Sequence, residues 1–235
     1  MQKFKLDKNG IDYIKFLVND KSNQKLRDRL RDLHYADIAE ILSKISTEEG
    51  TYLIKLLDSE KTADALAELD EDIRENIIEN LSVKEIAEEI EELDTDDATD
   101  LVSELPQEKR ESVISEISDS DHAEDIRELL NYNEDTAGGL MAKELVKVEE
   151  NLSVLNCLNT MRAQAEDVTR VHSIYVVDSK NRLKGRLSLK DLITANSKAK
   201  VKDIFIPKVD FVSVDQKGEE VARIMSKYDL EAIPV

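Results

Sequence analysis

Every twelfth residue from Leu33 is apolar: Leu33, Ile45, Leu57, Leu69, Leu81, Leu93, Leu105, Ile117 and Leu129. Three places before each stands another apolar residue: Leu30, Leu42, Ile54, Leu66, Ile78, Ile90, Val102, Ile114 and Ile126. Residues three apart share one face of a helix. The residue after each anchor is often a helix-capping type, as at Ser46, Asp58, Asp70, Ser82, Asp94 and Ser118, with Pro106 in the same slot once. Ser46 with Glu49 and Ser82 with Glu85 have the spacing of a capping box. The pattern predicts nine units, each a helix of about ten residues and a tight turn. Such helices are too short to persist alone, so each must bury its apolar face against the next unit. The predicted architecture is a right-handed or similar α-superhelix of stacked repeats.

Beyond Met141 the period changes. "LVKVEE" reads as a strand, 153–165 as a helix, "SIYVVD" (173–178) as a buried strand, "SKNR" as a turn and "LKGRLSL" (183–189) as the answering hairpin strand. "LKDLITA" begins a further helix. From Val201 the order restarts with "KDIFIPKVDFVSV", the helix "KGEEVARIMSKYDL" and the strand "EAIPV", where this sequence ends. The predicted organisation is therefore multi-domain α and α+β. A helical array occupies 1–131, a hinge 132–141, a first βαββα module 142–200 and an incomplete second module 201–235.

Composition narrows the function. A net charge of -19 argues against nucleic acid and against direct binding to an anionic lipid surface. Cations or a basic partner are the natural ligands of such a chain. The single cysteine, Cys157, lies in an apolar helical pattern, reads as a core thiol and fits a reducing compartment. No stretch approaches the length needed to span a bilayer, so the expectation for this region is a soluble, cytosolic protein. His34, His122 and His172 are scattered without metal-site spacing, and neither a Walker loop nor a GxGxxG loop occurs. "AGGL" is not a phosphate cradle, and Glu134 with Asp135 reads as a cap and hinge. The chain reads as a non-enzyme.

Residues 85–100 hold nine carboxylates and no Lys or Arg. Carboxylates four apart on a helix, such as Asp96 and Asp100, repel unless neutralised. A solvated face is one reading of this run. The other is a hard divalent cation: Mg²⁺ takes oxygen ligands, keeps several waters and needs one or two carboxylates.

The βαββα order with "IYVVDSKNRLKGRLSLKDL", and then "YDLEAIPV", resembles the CBS domain, a module that works in tandem pairs. Ser188-Leu189-Lys190-Asp191 matches its S/T-x-x-D element, and Asp191 is the residue that would hold a ribose. An acidic, leucine-rich array followed by "NEDTAGGLM" and CBS modules resembles the cytosolic part of MgtE-type magnesium transporters. Family members continue through a plug helix into a transmembrane pore domain, which is absent here.

The resemblance implies a homodimer formed through the CBS modules, a full-length protein in the cell membrane and a cytoplasmic Mg²⁺-sensing role for this region. The implied ligands are Asp64, Asp96, Asp100 and the Gly139 backbone between array and CBS pair. Glu219, Ser226 (through backbone) and Asp229 are those facing the pore. Lys217 stands where the family often has an acid, and Leu230 where nucleotide-binding members stack an aromatic ring on adenine. ATP is a second implied ligand. Two alternatives stay open: a CBS adenine-nucleotide sensor with a helical adaptor, and a protein-interaction solenoid.

Overall fold

A computed structural model describes residues 7–165, 168 and 170–235; the first six residues of the array assigned to 1–131 lie outside it. The chain divides into two compact units, one comprising residues up to Leu93 with Asp97–Arg127, the other Asp94–Asp96 with Glu128–Val235.

The first unit is built from α1 (Lys8–Asn19), α2 (Asn23–Leu30), α3 (Tyr35–Leu42), α4 (Thr47–Leu56), α5 (Ser59–Ala67), α6 (Glu71–Ile78), α7 (Val83–Ile90), most of α8 (Thr95–Glu104), α9 (Gln107–Glu116) and most of α10 (Ser120–Leu129). All nine residues of the series from Leu30 to Ile126 are buried. The anchor series is buried from Leu69 onward, while Leu33, Ile45 and Leu57 are half-buried. Both predicted capping boxes form, at Ser46 with Glu49 and at Ser82 with Glu85.

Two details differ from the sequence reading. Ser118 is not the cap of α10; Asp119 is, its carboxylate accepting from Asp121 N at 2.9 Å and His122 N at 3.2 Å. Nor is the main contact between consecutive units. α3 packs on α5, α5 on α7, α7 on α9 and α4 on α6. Long-range polar ties span a similar stretch of chain: Lys55 to Glu85 at 2.9 Å, Arg74 to Glu104, and Lys109 Nζ to the Ile78 carbonyl at 3.0 Å. The twelve-residue ruler sets the helix, and one superhelical rise takes between two and three helices.

In the second unit β1 (Val146–Glu149), α11 (Val154–Gln164), β2 (Ile174–Val177), β3 (Leu183–Leu187) and α12 (Leu189–Thr194) follow the predicted order. β1 pairs parallel to β2 (Val146 opposite Ile174), and β2 antiparallel to β3 (Ile174 opposite Leu187). The inward residues Val146, Val148, Ile174, Val176 and Leu187 meet Cys157 and Met161 of α11 in one core. Alternating burial along β1 is what a half-covered strand requires. Asn181 takes the left-handed conformation at the hairpin turn (φ 58°), and the Asp178 carboxylate gathers Lys180 N, Arg182 N and Arg182 Nε at 2.9, 3.1 and 2.8 Å.

The second module departs from its prediction. Its helix α13 (Gly218–Tyr228) forms, but neither "FVSV" nor "EAIPV" is a strand. One backbone bond, Val212 N to Pro234 O at 3.0 Å, stands where a ladder was expected. These residues include no counterpart of β3, and a two-segment sheet is marginal in water.

Candidate cation ligands and the acidic run

The nine carboxylates of residues 85–100 are not equivalent. Glu85 belongs to its capping box: its carboxylate accepts from Ser82 N at 2.7 Å and pairs with Lys55 at 2.9 Å. The Ser82 backbone bond, helped by Lys55, holds its pKa down to about 2. Glu91 accepts from the backbone N–H groups of Ser118 and Asp119, before α10. Glu88 pairs with Lys84 at 3.4 Å.

Glu89 is inside the array, 6 % exposed, where Thr62 Oγ1 reaches both carboxylate oxygens at 2.7 and 2.9 Å. Burial pushes its pKa up to about 8, against the Thr62 bond and with Glu88 and Glu92 adding repulsion. A carboxyl at that value is mostly neutral at pH 7, and its burial leaves no open face for a hydrated ion. The sequence presented nine like residues, and the structure gives Glu85, Glu89 and Glu91 structural work.

Asp64 on α5 and Asp100 on α8 are exposed and belong to the first unit. Each already interacts with neighbouring groups, and Asp100 adds its charge to the Glu104 hydrogen bond that chiefly raises the Arg74 pKa. Asp96 is half-buried one turn before Asp100 and groups with the second unit. There the adjacent Thr95 donates from N and Oγ1 to Glu144 at 3.1 and 2.8 Å. Glu219, Ser226 and Asp229 are exposed along and just after α13. Glu219 pairs with Arg223 at 3.3 Å, and Asp229 caps the helix in the left-handed conformation (φ 52°).

Among the described residues no group of three or more His, Cys, Asp or Glu side chains is assembled as a metal site. The candidate donors are nonetheless hard oxygens with surface access, which suits a hydrated Mg²⁺ held by one or two carboxylates.

Gly138 and Gly139 are required by contact rather than by backbone angle, since no glycine has positive φ. A Cβ on Gly139 would lie 2.3 Å from the Asn133 carbonyl oxygen, and one on Gly138 2.7 Å from the Tyr132 ring. This stretch is sewn to the start of α13: Ala137 N donates to Gln216 O at 2.7 Å, Gly138 N to Val214 O at 2.9 Å and Gly218 N to Asp135 O at 2.8 Å. Nothing in the local pattern of residues signals that long-range pairing.

Asp191 is the third residue of α12. Its carboxylate accepts from the Ser188 hydroxyl at 2.7 Å, and its N–H donates back to Ser188 Oγ at 3.0 Å. A cavity of about 820 Å³ in the second unit lies elsewhere, lined in part by Asp96, Arg170, His172, Tyr175 and Glu231, with His172 Nδ1 3.6 Å from Glu231. Neither Asp191 nor Leu230 lines it. Sequence reading found no partner for His172, because only the fold brings it near Glu231. Of the other histidines, His34 caps α3 and His122 meets the Ile90 carbonyl at 3.2 Å.

A capped array of short acidic helices joined to a βαββα sheet module defines a helical-repeat and CBS type of chain. Comparison with known proteins agrees: residues 33–135 match the MgtE intracellular N domain and residues 137–198 the CBS domain. The magnesium transporter MgtE of Thermus thermophilus is 49% identical over 107 residues, covering 46% of this chain and 24% of that protein. This chain thus spans about a quarter of the length of the curated relatives it matches.

Two solved structures match nearly throughout. The cytosolic domain of the Mg²⁺ channel MgtE in complex with ATP is 32% identical, with a TM-score of 0.88 over 96% of this chain and 92% of that one. The soluble part of a magnesium transporter is 26% identical, with a TM-score of 0.83 over 96% and 88%. The chain belongs to the MgtE family. No described helix is long and apolar enough to cross a membrane.

Proposed function

We propose that this chain is the cytosolic Mg²⁺-sensing region of an MgtE-type magnesium transporter or channel. In this reading it is non-catalytic, dimerises through its CBS modules and is joined in the full-length membrane protein to a pore domain. The observation that carries the reading is the match along almost the whole chain to the cytosolic domain of a Mg²⁺ channel. The charge distribution supports it, because carboxylates kept at the surface of a folded array are stabilised by a divalent ion and destabilised by its loss.

Asp64, Asp96, Asp100 and the Gly139 carbonyl are assigned to ions joining the array to the CBS modules. Glu219, Ser226 and Asp229 are assigned to an ion facing the pore domain. High Mg²⁺ selects a compact form that holds the pore closed. When Mg²⁺ falls, the carboxylates repel and the compact form is released. The mechanism requires only that the closed form bind Mg²⁺ more tightly than the open one.

ATP is a second ligand in this reading, because the 32% identical relative was solved with ATP. Asp191 is assigned to its ribose.

Small-angle X-ray scattering across a Mg²⁺ titration, with KCl at matched ionic strength, tests the sensing mechanism. A contraction specific to Mg²⁺ is expected, since screening alone acts equally in KCl. Replacing Asp96 and Asp100 by Asn should shift that contraction to higher Mg²⁺ while leaving the helical circular dichroism unchanged. A profile indifferent to Mg²⁺, or a double variant that contracts like the parent, removes the assignment.

A further inference from the structure

Charge is segregated along this chain more sharply than its total suggests. Residues 1–31 hold nine Lys or Arg against four Asp or Glu, whereas residues 32–131 hold eight against thirty-two. The array is thus strongly negative, and its first two helices form a basic end. This end precedes the segment matched by the family's N-domain model, which begins at residue 33.

The basic end also carries the array's exposed aromatic side chains. Tyr13 and Phe16, one helical turn apart on α1, are 41% and 59% exposed and stack with ring centroids 6.4 Å apart. The Arg29 guanidinium of α2 lies 5.4 Å from the Tyr13 ring centroid, a cation–π distance. Lys25, four residues before Arg29, is on the same face of α2 and exposed. An exposed aromatic pair with two cations beside it has the composition of an interface centre, where Tyr and Arg dominate binding energy.

We propose that this surface docks on the acidic run of a second copy of the chain, around Glu88 and Glu92. Charge complementarity selects that occupant: Glu88 and Glu92 are exposed in a run that contains no basic residue and stays negative even with Lys84 beside Glu88, and the basic end offers the matching sign. The contact forms between copies, because α1 packs on α2 and α4, and α7 lies three helices further along. Reciprocal docking buries two such contacts in a closed twofold pair. An anionic lipid surface fits less well, since Asp12 on α1, Asp20 at its C-cap and Asp28 on α2 are exposed and interspersed among the cations.

The test is carbodiimide cross-linking of the whole chain, using mixed isotopically heavy and light copies, read by mass spectrometry at about 50 mM and about 500 mM NaCl. The proposal expects heavy–light links between Lys25 and carboxylates of residues 85–100, reduced about tenfold at the higher salt. Arg29→Glu, which leaves the Lys25 amine in place, should abolish them, and adding Glu88→Lys with Glu92→Lys on the other copy should restore association measured by light scattering. Phe16→Ala, at an exposed position, should weaken association without changing the circular dichroism. Dimerisation through the second unit would survive every one of these changes, so it is not mistaken for this contact. Links confined within one copy, links unaffected by the charge reversals, or no links at all overturn the proposal. Charge-reversal-sensitive binding to phosphatidylserine vesicles without heavy–light links assigns the surface to lipid instead and equally overturns it.

Discussion

Replacing Glu89 by Gln should stabilise the helical array, and by an amount that grows with pH. The side chain is 6 % exposed and is held by the Thr62 hydroxyl at 2.7 and 2.9 Å, so Gln keeps its volume and an acceptor for Thr62. Its folded pKa is raised to about 8, chiefly by burial, whereas an ordinary glutamate sits at 4.5. The folded chain therefore keeps a proton that the unfolded chain releases. For a raised pKa the contribution is fully present below 4.5, declines as pH rises and is lost above 8. Keeping the carboxyl neutral at pH 7 costs about 3 kcal/mol, a cost the Gln variant does not meet.

The assay is urea unfolding of parent and E89Q, followed by far-ultraviolet circular dichroism at a series of pH values. Other carboxylates titrate in both proteins, so the difference between the two curves isolates Glu89. That difference should be near zero at about pH 4 and widen by about 1.4 kcal/mol per pH unit toward 7. Curves that run parallel across this range would refute a buried neutral carboxyl at this position.

Two further changes test other parts of the fold. Arg74 binds Glu104 (Nε to Oε2 at 2.9 Å) and donates to the carbonyls of Ala67 and Leu69 at 2.9 and 3.2 Å, with both charged side chains about 15% exposed (14% and 16%). Arg74→Met should cost about 3 kcal/mol by stranding Glu104, and the double change with Glu104→Met should recover much of it, measured by urea midpoints. Gly139→Ala sets a methyl 2.3 Å from the Asn133 carbonyl oxygen, so backbone must move, at about 2 kcal/mol. Gly138→Ala meets Tyr132 side-chain atoms at 2.7 to 3.2 Å and no backbone, so a side-chain shift can absorb part of the clash and the melting temperature should fall less.

What was legible in the sequence was whatever repeats locally. Leu30 through Ile126 mark buried faces because a helix of this length leaves little choice of face. Ser46 and Ser82 mark helix starts because their partners, Glu49 and Glu85, lie three residues on. The hairpin of Ile174–Val177 with Leu183–Leu187 was readable for the same reason. Ser118 misled because Asp119 caps α10 from the next position. The partner of each helix could not be read, since apolar faces of one period fit the next helix or the one after alike.

The acidic run shows why a candidate site is harder to read than a fold. Periodicity says where a carboxylate points only relative to its own helix. Glu89 and Glu91 take their roles from Thr62 and Ser118, each 27 residues away, and Glu85 adds Lys55, 30 residues away, to its local cap. A cation has to choose among the carboxylates that such contacts leave at the surface. Under the proposed assignment the ion takes Asp64, Asp96 and Asp100 and not Glu89, which is buried inside the array and bonded to Thr62. The same reasoning predicts that E89Q, despite removing a carboxylate from the densest acidic stretch, leaves the Mg²⁺ midpoint of contraction unchanged while D96N with D100N moves it. A midpoint that shifted with E89Q would place Glu89 among the ligands and reverse the assignment.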